Sequence, residues 1–263
     1  MIVAGCDVGS LTGKAVILSN GAILAHSIVP TTVKPEKTAN NAMNAALAQC
    51  GLTREDMNYI VGTGYGRVKV PFANSNISEI TCHGKGAHFL NQKIRLIIDV
   101  GGQDCKVIKV NEKGKLLDFA MNDKCAAGTG RFLETMARAL ELQLDELGPL
   151  SLAARNPVAI TAQCSVFAET EVVSRMADGT EVGDIVAGIH DAVASRIMTL
   201  INKVGLEEDM TITGGVAKNA GVVACIQRRT GIKAVALPVD PQIIGALGAA
   251  LLAEQEAVSN KCR

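Results

Sequence analysis

Eight cysteines, 26 acidic residues and four histidines are the groups from which this 263-residue chain could build a chemical site. Free cysteine is mostly a small buried hydrophobe. That reading suits Cys6 and Cys105 in expected strands, Cys50 and Cys225 in helical sequence, Cys82, and Cys262 near the C-terminus. Cys125 and Cys164 differ. Cys125 lies in a stretch of small residues, 122–131, directly before an amphipathic segment, and Cys164 opens onto 165–176 with Ser165 available as a cap. Both thiols stand near expected helix starts, where the macrodipole and unpaired N–H groups favour a thiolate or an anionic cluster. Neither forms a Cys-x-x-Cys, which argues against a zinc ribbon or a thioredoxin-like site. Two thiolates cannot complete the four-cysteine shell of an iron–sulfur cluster, but two copies meeting on a two-fold axis can. Spacing alone does not choose between that arrangement and two ordinary packed thiols.

A second set of candidates recurs 92 residues on. Asp7-Val8-Gly9-Ser10-Leu11-Thr12-Gly13-Lys14 lines up with Asp99-Val100-Gly101-Gly102-Gln103-Asp104-Cys105-Lys106. Each is an apolar run, Asp-Val-Gly, a short turn, and a second run opened by Lys, which is a β-hairpin signature. A third turn, Thr213-Gly214-Gly215-Val216-Ala217-Lys218-Asn219, follows another apolar run. Backbone N–H groups in such turns form anion sites for phosphate oxygens. Gly9, Ser10, Gly101, Gly102, Gly214, Gly215, Val216 and Asn219 are therefore the expected nucleotide contacts, with Gly128, Thr129 and Gly130 as phosphate neighbours. Lys14 is expected to touch phosphate; Lys106 receives no role. Asp7 and Asp99, at strand ends, can hold Mg²⁺ through waters. Asp7 with Gln103 or Asp104 makes the catalytic set, one of the latter two orienting the attacking water. That Gln103 only shapes its turn is an equal alternative. This is not a P-loop, since Gly13-Lys14 is followed by Ala15 and Val8 stands where the first Gly belongs. The dinucleotide fingerprint also fails at each turn.

The elements that must position these groups are legible in outline. Strands are expected at 22–29, 58–61, 95–99, 116–121, 210–213 and 233–236. Pro35 opens a helix that stops at Gly51, and 130–144 is amphipathic through Phe132, Leu133, Met136, Leu140 and Leu144. Further helices are expected at 168–176, 184–204, 218–229 and 243–256. With 48% apolar residues and 26 glycines, the composition is that of an α/β protein with many close turns. A net charge of zero and only 3% aromatics give no electrostatic or stacking basis for nucleic acid. No run approaches the roughly 18 apolar residues of a membrane span, and the N-terminus lacks a signal-peptide pattern. A cytoplasmic protein with reduced thiols is expected. His26, His83, His88 and His190 show no ligand spacing and read as packing or surface residues.

In order and spacing the three turns resemble those of the actin/Hsp70/sugar-kinase ATPases. The resemblance implies an α/β fold of two duplicated RNase H-like domains with the ATP cleft between them. The first would be 1–92 plus about 243–263, and the second 93–242, carrying the cysteines. Lys124-Cys125-Ala126-Ala127-Gly128-Thr129-Gly130-Arg131-Phe132, with Cys164-Ser165-Val166-Phe167-Ala168-Glu169-Thr170-Glu171 downstream, is more specific. It resembles the ATP-dependent activators (component A) of 2-hydroxyacyl-CoA dehydratases, which group with the ATPase subunits of benzoyl-CoA reductases. Thr63-Gly64-Tyr65-Gly66-Arg67, Ser78-Glu79-Ile80-Thr81-Cys82-His83 and Gly245-Ala246-Leu247-Gly248-Ala249-Ala250 extend the likeness across the chain. It implies an oxygen-sensitive homodimer with one [4Fe–4S] cluster bridging Cys125 and Cys164 of each subunit. ATP or ADP with Mg²⁺, a ferredoxin or flavodoxin as electron source, and an iron–sulfur dehydratase or reductase as acceptor complete the implied system. A benzoyl-CoA-type or double-cubed-cluster reductase is an alternative acceptor. A small-molecule kinase without a cluster and a nucleotide-gated scaffold are the alternatives from the hairpins alone.

Overall fold

Continuous apolar runs make the central strands, because strands covered on both faces need no polar side. In the computed structural model, which describes residues 1–261, Ile2–Val8 (β1) is buried over nearly its whole length. Thr12–Ser19 (β2) returns antiparallel beside it, with Asp7 opposite Lys14. Ala22–Pro30 (β3), Tyr59–Thr63 (β4) and Ser75–Asn76 (β5) complete a sheet of order β3-β2-β1-β4-β5, with β4 parallel to β1. Pro35–Cys50 (α1) starts at its proline and ends at Gly51 in the left-handed conformation. It packs Ala39, Ala42, Met43 and Leu47 with Ala4, Cys6, Ala15 and Ile17. Ile244–Lys261 (α8) covers other residues of the same strands, placing Ala246, Leu247, Ala250 and Ala253 with Val3, Val16, Leu18 and Val61.

Glu79–Leu90 (α2) packs on α8 and was not among the expected helices. Gly84 and Gly86 weaken its helical signal, since glycine is the poorest ordinary helix former. Tertiary packing supplies the reason for them. A Cβ on Gly86 would meet the Ile244 carbonyl, and one on Gly248 of α8 would meet the Cys82 carbonyl. The helices cross backbone to backbone.

A second sheet has the order β8-β7-β6-β9, from Leu116–Asn122, Cys105–Val110, Leu96–Val100 and Met210–Thr213. β9 runs parallel to β6, which sets Thr213 opposite Asp99. Gly130–Ala139 (α3), Leu147–Ala153 (α4), Ser165–Ala177 (α5), Val182–Val204 (α6) and Ala220–Thr230 (α7) build on this unit. α6 is its spine, with Ile185, Ile189, Val193 and Ile197 in one core with Ile98, Val107, Phe132 and Met136. The expected helix 130–144 stops at Ala139, because Glu141 turns left-handed (φ 57°) and Leu142 N–H closes on the Ala137 carbonyl at 2.9 Å. The expected strand 233–236 does not form. Val235 still touches β9, its N–H on the Met210 carbonyl at 2.8 Å, but no ladder follows.

Contacts divide the chain into a unit of Met1–Arg95, Lys109–Leu117 and Leu237 onward, and a unit of Leu96–Ile108 with Asp118–Ala236. Lys109–Leu117, expected with the second domain, joins the first because His88 of α2 holds the Glu112 carbonyl at 3.0 Å and Gly84 lies under Val110. Cys262 lies outside the described residues. No helix of the described residues is long and apolar enough to cross a membrane.

Two outcomes test this packing. Gly248→Val is expected to destabilise the fold by about 3 kcal/mol, at the upper end of overpacking effects, because rigid backbone must move; urea unfolding measures it. His190 of α6 is fully buried, and burial depresses its pKa to about 4 from an ordinary 6.5. The unfolded chain takes up that proton near pH 6.5 and the folded chain only near 4, so stability falls as pH drops through this window. Denaturation of His190→Gln between pH 7 and 4 is expected to show a shallower pH slope than the wild-type chain.

Candidate functional site

Asp7 ends β1 as a buried carboxylate, and a buried charge needs a partner. Lys14, directly opposite on β2, donates to its Oδ2 at 3.2 Å. The turn between them is closed by the Gly9 N–H on the Thr12 carbonyl at 3.1 Å. Thr31 holds it from the side, its hydroxyl on the Gly9 carbonyl and its N–H on the Leu11 carbonyl, each at 2.9 Å. A Cβ on Gly9 would stand 3.0 Å from Lys14 Nζ, so the ammonium lies over the turn.

The second hairpin repeats this construction and adds a charge. The Gly101 N–H closes its turn on the Asp104 carbonyl at 2.9 Å. Lys106 is buried and reaches Asp99 Oδ2 at 3.5 Å and Asp104 Oδ1 at 2.8 Å, while the Thr213 hydroxyl donates to Asp99 Oδ1 at 3.0 Å. The residue that is Thr12 in the first hairpin is thus an acid, Asp104, in the second. Lys106, given no role from sequence, is the counter-ion of both carboxylates; the matching position of Lys14 was the signal for it. With Asp104 committed to Lys106, Gln103 is the exposed member of the pair expected to orient water. Gly214 adopts φ 84° against this hairpin, where a Cβ would press on Asp99 Oδ1 at 2.9 Å. Gly215 and Val216 lie in the short 3-10 turn Gly215–Lys218. Asn219 then caps α7, its Oδ1 accepting from Gly221 and Val222 N–H at 3.0 and 3.1 Å. Its amide nitrogen meets His190 Nε2 at 3.2 Å, so this histidine, expected only to pack, also fixes the end of the turn.

Cys125 and Cys164, 39 residues apart, come together in the same unit. Cys125 Sγ stands 3.8 Å from the carbonyl of Gln163, the residue before Cys164. Both thiols are partly exposed. Cys164 is itself the N-cap residue of α5, correcting the expectation that Ser165 caps; Ser165 is the first helical residue. Cys125 precedes α3 by a loop in which Gly128 turns left-handed (φ 89°), and a Cβ there would also lie 2.9 Å from Cβ of Arg196 on α6, so both the backbone and the space call for glycine. Thr129 is buried, with its N–H and hydroxyl both on the Ala126 carbonyl at 3.0 and 2.7 Å. The Gly130 and Arg131 N–H groups donate to the carbonyls of Gly101 and Gly102 at 2.9 and 2.8 Å. Gly130 and Arg131 therefore brace the hairpin turn with their N–H groups, and Thr129 turns its own back on Ala126, so none of the three points outward.

Four other thiols among the described residues are buried. Burial pushes Cys6 and Cys82 up to about 12 and Cys105 to about 11, and it raises Cys225 as well. Cys50 donates to carbonyls of its own helix. Among the described residues no three His, Cys, Asp or Glu side chains group to hold a metal. The donor set of one chain thus fits half of a four-thiolate shell and no more. Asp7 and Asp99, each already held by a lysine, suit Mg²⁺ bound through water better than direct ligation.

Known proteins show which family has this sequence and fold. The activator of lactoyl-CoA dehydratase from Anaerotignum propionicum is 46% identical over 98% of this chain and 99% of its own length. Component A of (R)-2-hydroxyglutaryl-CoA dehydratase from Acidaminococcus fermentans has a crystal structure that superposes with a TM-score of 0.94. It is 42% identical and covers 98% of this chain and 99% of that one. A ROK-family glucokinase from Streptomyces griseus, 16% identical, shares the fold at a TM-score of 0.55, covering 97% of this chain and all of that one. The architecture is therefore that of the actin/Hsp70/sugar-kinase group. A single family model spans residues 4–253 and so takes in both hairpins, the third turn and both cysteine loops: the chain belongs to the BadF/BadG/BcrA/BcrD ATPase family.

Proposed function

We propose that this chain is an ATP-hydrolysing electron donor, working as a cytoplasmic homodimer with one [4Fe–4S] cluster held by Cys125 and Cys164 of each copy. It takes single low-potential electrons from a ferredoxin or flavodoxin and delivers them to a partner iron–sulfur enzyme, a 2-hydroxyacyl-CoA dehydratase or a related reductase. The observation that carries this reading is the pair of hydrogen bonds from the first turn of α3 to the carbonyls of Gly101 and Gly102. They join the loop of Cys125 to the turn expected to meet phosphate.

On this reading the backbone of Gly9, Ser10, Gly101 and Gly102 receives phosphate oxygens, with Lys14 leaning over its turn. Gly214, Gly215, Val216 and Asn219 take the adenosine side, and Asp7 and Asp99 hold Mg²⁺ through water. Gln103 directs the attacking water. Bound at the four thiolates, the cluster supplies a one-electron carrier. A shift of the Gly101-Gly102 turn on hydrolysis moves the Gly130 and Arg131 N–H groups bonded to it, and Gly128 provides the flexible link to Cys125. About 1.4 kcal/mol corresponds to ~59 mV of one-electron driving force, so nucleotide energy is of the right scale to change reducing power. Support for a second copy comes from α5, where Val166 and Phe167 follow Cys164 and stand 67% and 69% exposed.

Anaerobic purification is expected to give a brown dimer with about four irons, as two cysteines from each chain require. Cys125→Ser and Cys164→Ser should abolish the colour and the MgATP-dependent reduction of the partner while nucleotide still binds. A colourless wild-type protein that phosphorylates a small acceptor, and does so equally after Cys125→Ser, would overturn the reading. Gln103→Ala is expected to lower kcat for ATP hydrolysis roughly 10²-fold with iron content unchanged; steady-state kinetics on iron-quantified protein check it.

A further inference from the structure

The two cysteines sit on irregular backbone, yet neither loop is loosely held. Asn122, the last residue of β8, uses its whole amide on the Cys125 loop. Its Oδ1 accepts the Cys125 N–H at 3.2 Å, and its Nδ2 donates to the Cys125 carbonyl at 2.8 Å and reaches the Ala127 carbonyl at 3.4 Å. One side chain thereby fixes both peptide groups of Cys125. On the other loop the anchor is Glu171, two turns along α5 from Cys164. Its Oε2 accepts the Thr161 N–H at 2.8 Å, and its Oε1 faces Arg175 at 4.0 Å. Thr161 Oγ1 in turn accepts the Gln163 N–H at 3.4 Å, and the Gln163 carbonyl is the group beside Cys125 Sγ. Upstream, Asp184 at the start of α6 accepts the N–H groups of Arg155 and Asn156 at 2.9 and 2.8 Å. The segment leading to Cys164 is thus pinned to α6 at one end and to Glu171 at the other.

We infer that Asn122 and Glu171 are positioning residues that pre-shape the two ligand loops, so that the thiols are placed before any iron arrives and stay placed as it changes charge. The inference rests on the reading that Cys125 and Cys164 ligate a cluster. Its physical basis is that a site whose backbone is already ordered loses less freedom on binding and releases its ligand more slowly. Neither side chain need touch the iron. Glu171 acts through an acceptor oxygen, so glutamine can replace it and alanine cannot. Asn122 acts as acceptor and donor together, so aspartate keeps only half of its role.

The test is iron release to a chelator from anaerobically prepared protein, followed by absorbance, with the EPR spectrum of the reduced protein alongside. Asn122→Ala and Glu171→Ala are expected to release iron at least tenfold faster than wild type and to broaden or shift the EPR signal, with nucleotide affinity unchanged. Glu171→Gln is expected to return to near the wild-type rate, and Asn122→Asp to fall between. Should either alanine variant fail to fold, Glu171→Met or Asn122→Leu, which keep the bulk and drop the polar atoms, replaces it with the same expected acceleration. Wild-type iron content with wild-type release rates and spectra in all four variants overturns the inference and leaves the cluster standing. Iron absent from wild type, or retained in Cys125→Ser, overturns the cluster reading and this inference with it.

Discussion

Placing a carboxylate at the buried end of a central strand is the constraint from which the rest of the molecule can be understood. Asp7 and Asp99 are both nearly inaccessible, and an unpaired charge at that depth is prohibitively unfavourable. Each hairpin answers it with a lysine on the returning strand, Lys14 in one and Lys106 in the other. Removing one partner from such a pair strands the other, at about 3–5 kcal/mol. Aspartate and lysine are therefore bound to one another by register as well as by any ligand. The second hairpin goes further, setting two carboxylates on one ammonium and leaving Gln103 as its outward polar group.

Small residues carry the next level of organisation. Gly86 and Gly248 let α2 and α8 meet at the backbone, and the alanines of α8 let it lie close on β1, the strand that carries Asp7, and on its neighbours. In the other unit α6 does the equivalent work with larger side chains. It also supports the cysteine loops, through Arg196 under Gly128 and through Asp184 under residues 155 and 156. Close-packed cores border both irregular loops, and such packing yields little to a small displacement.

The loop of Cys125 is the place where both levels meet. It is held by Asn122 behind, by Ala126 and Thr129 within, and by the carbonyls of Gly101 and Gly102 ahead. Its one left-handed residue, Gly128, lies between the thiol and the helix. A change at the hairpin turn therefore has a short hydrogen-bonded route to the sulfur, wholly inside one unit.

Much of this was legible in the residues. The 92-residue recurrence of Asp-Val-Gly with a following lysine marks two like hairpins, since a turn bounded by strands has few chemical solutions. Pro35 and Gly51 marked α1 because each has a stereochemical preference that acts locally. The likeness of the cysteine segments to a known family singled out two thiols of eight. Three things were settled by tertiary structure. α2 is a helix despite its glycines because α8 needs them there; the stretch 233–236 is not a strand because the Ala234 N–H turns to the Gln227 side chain while the Val235 N–H reaches β9; and the depth of Lys106, which its match to Lys14 only hinted at, makes it a counter-ion of two carboxylates. Sequence determines what acts over a few residues, namely turn chemistry, caps and periodicity. Which groups lose their water, and hence which charges must pair and which thiols stay reactive, depends on neighbours far along the chain, and only the folded arrangement decides it.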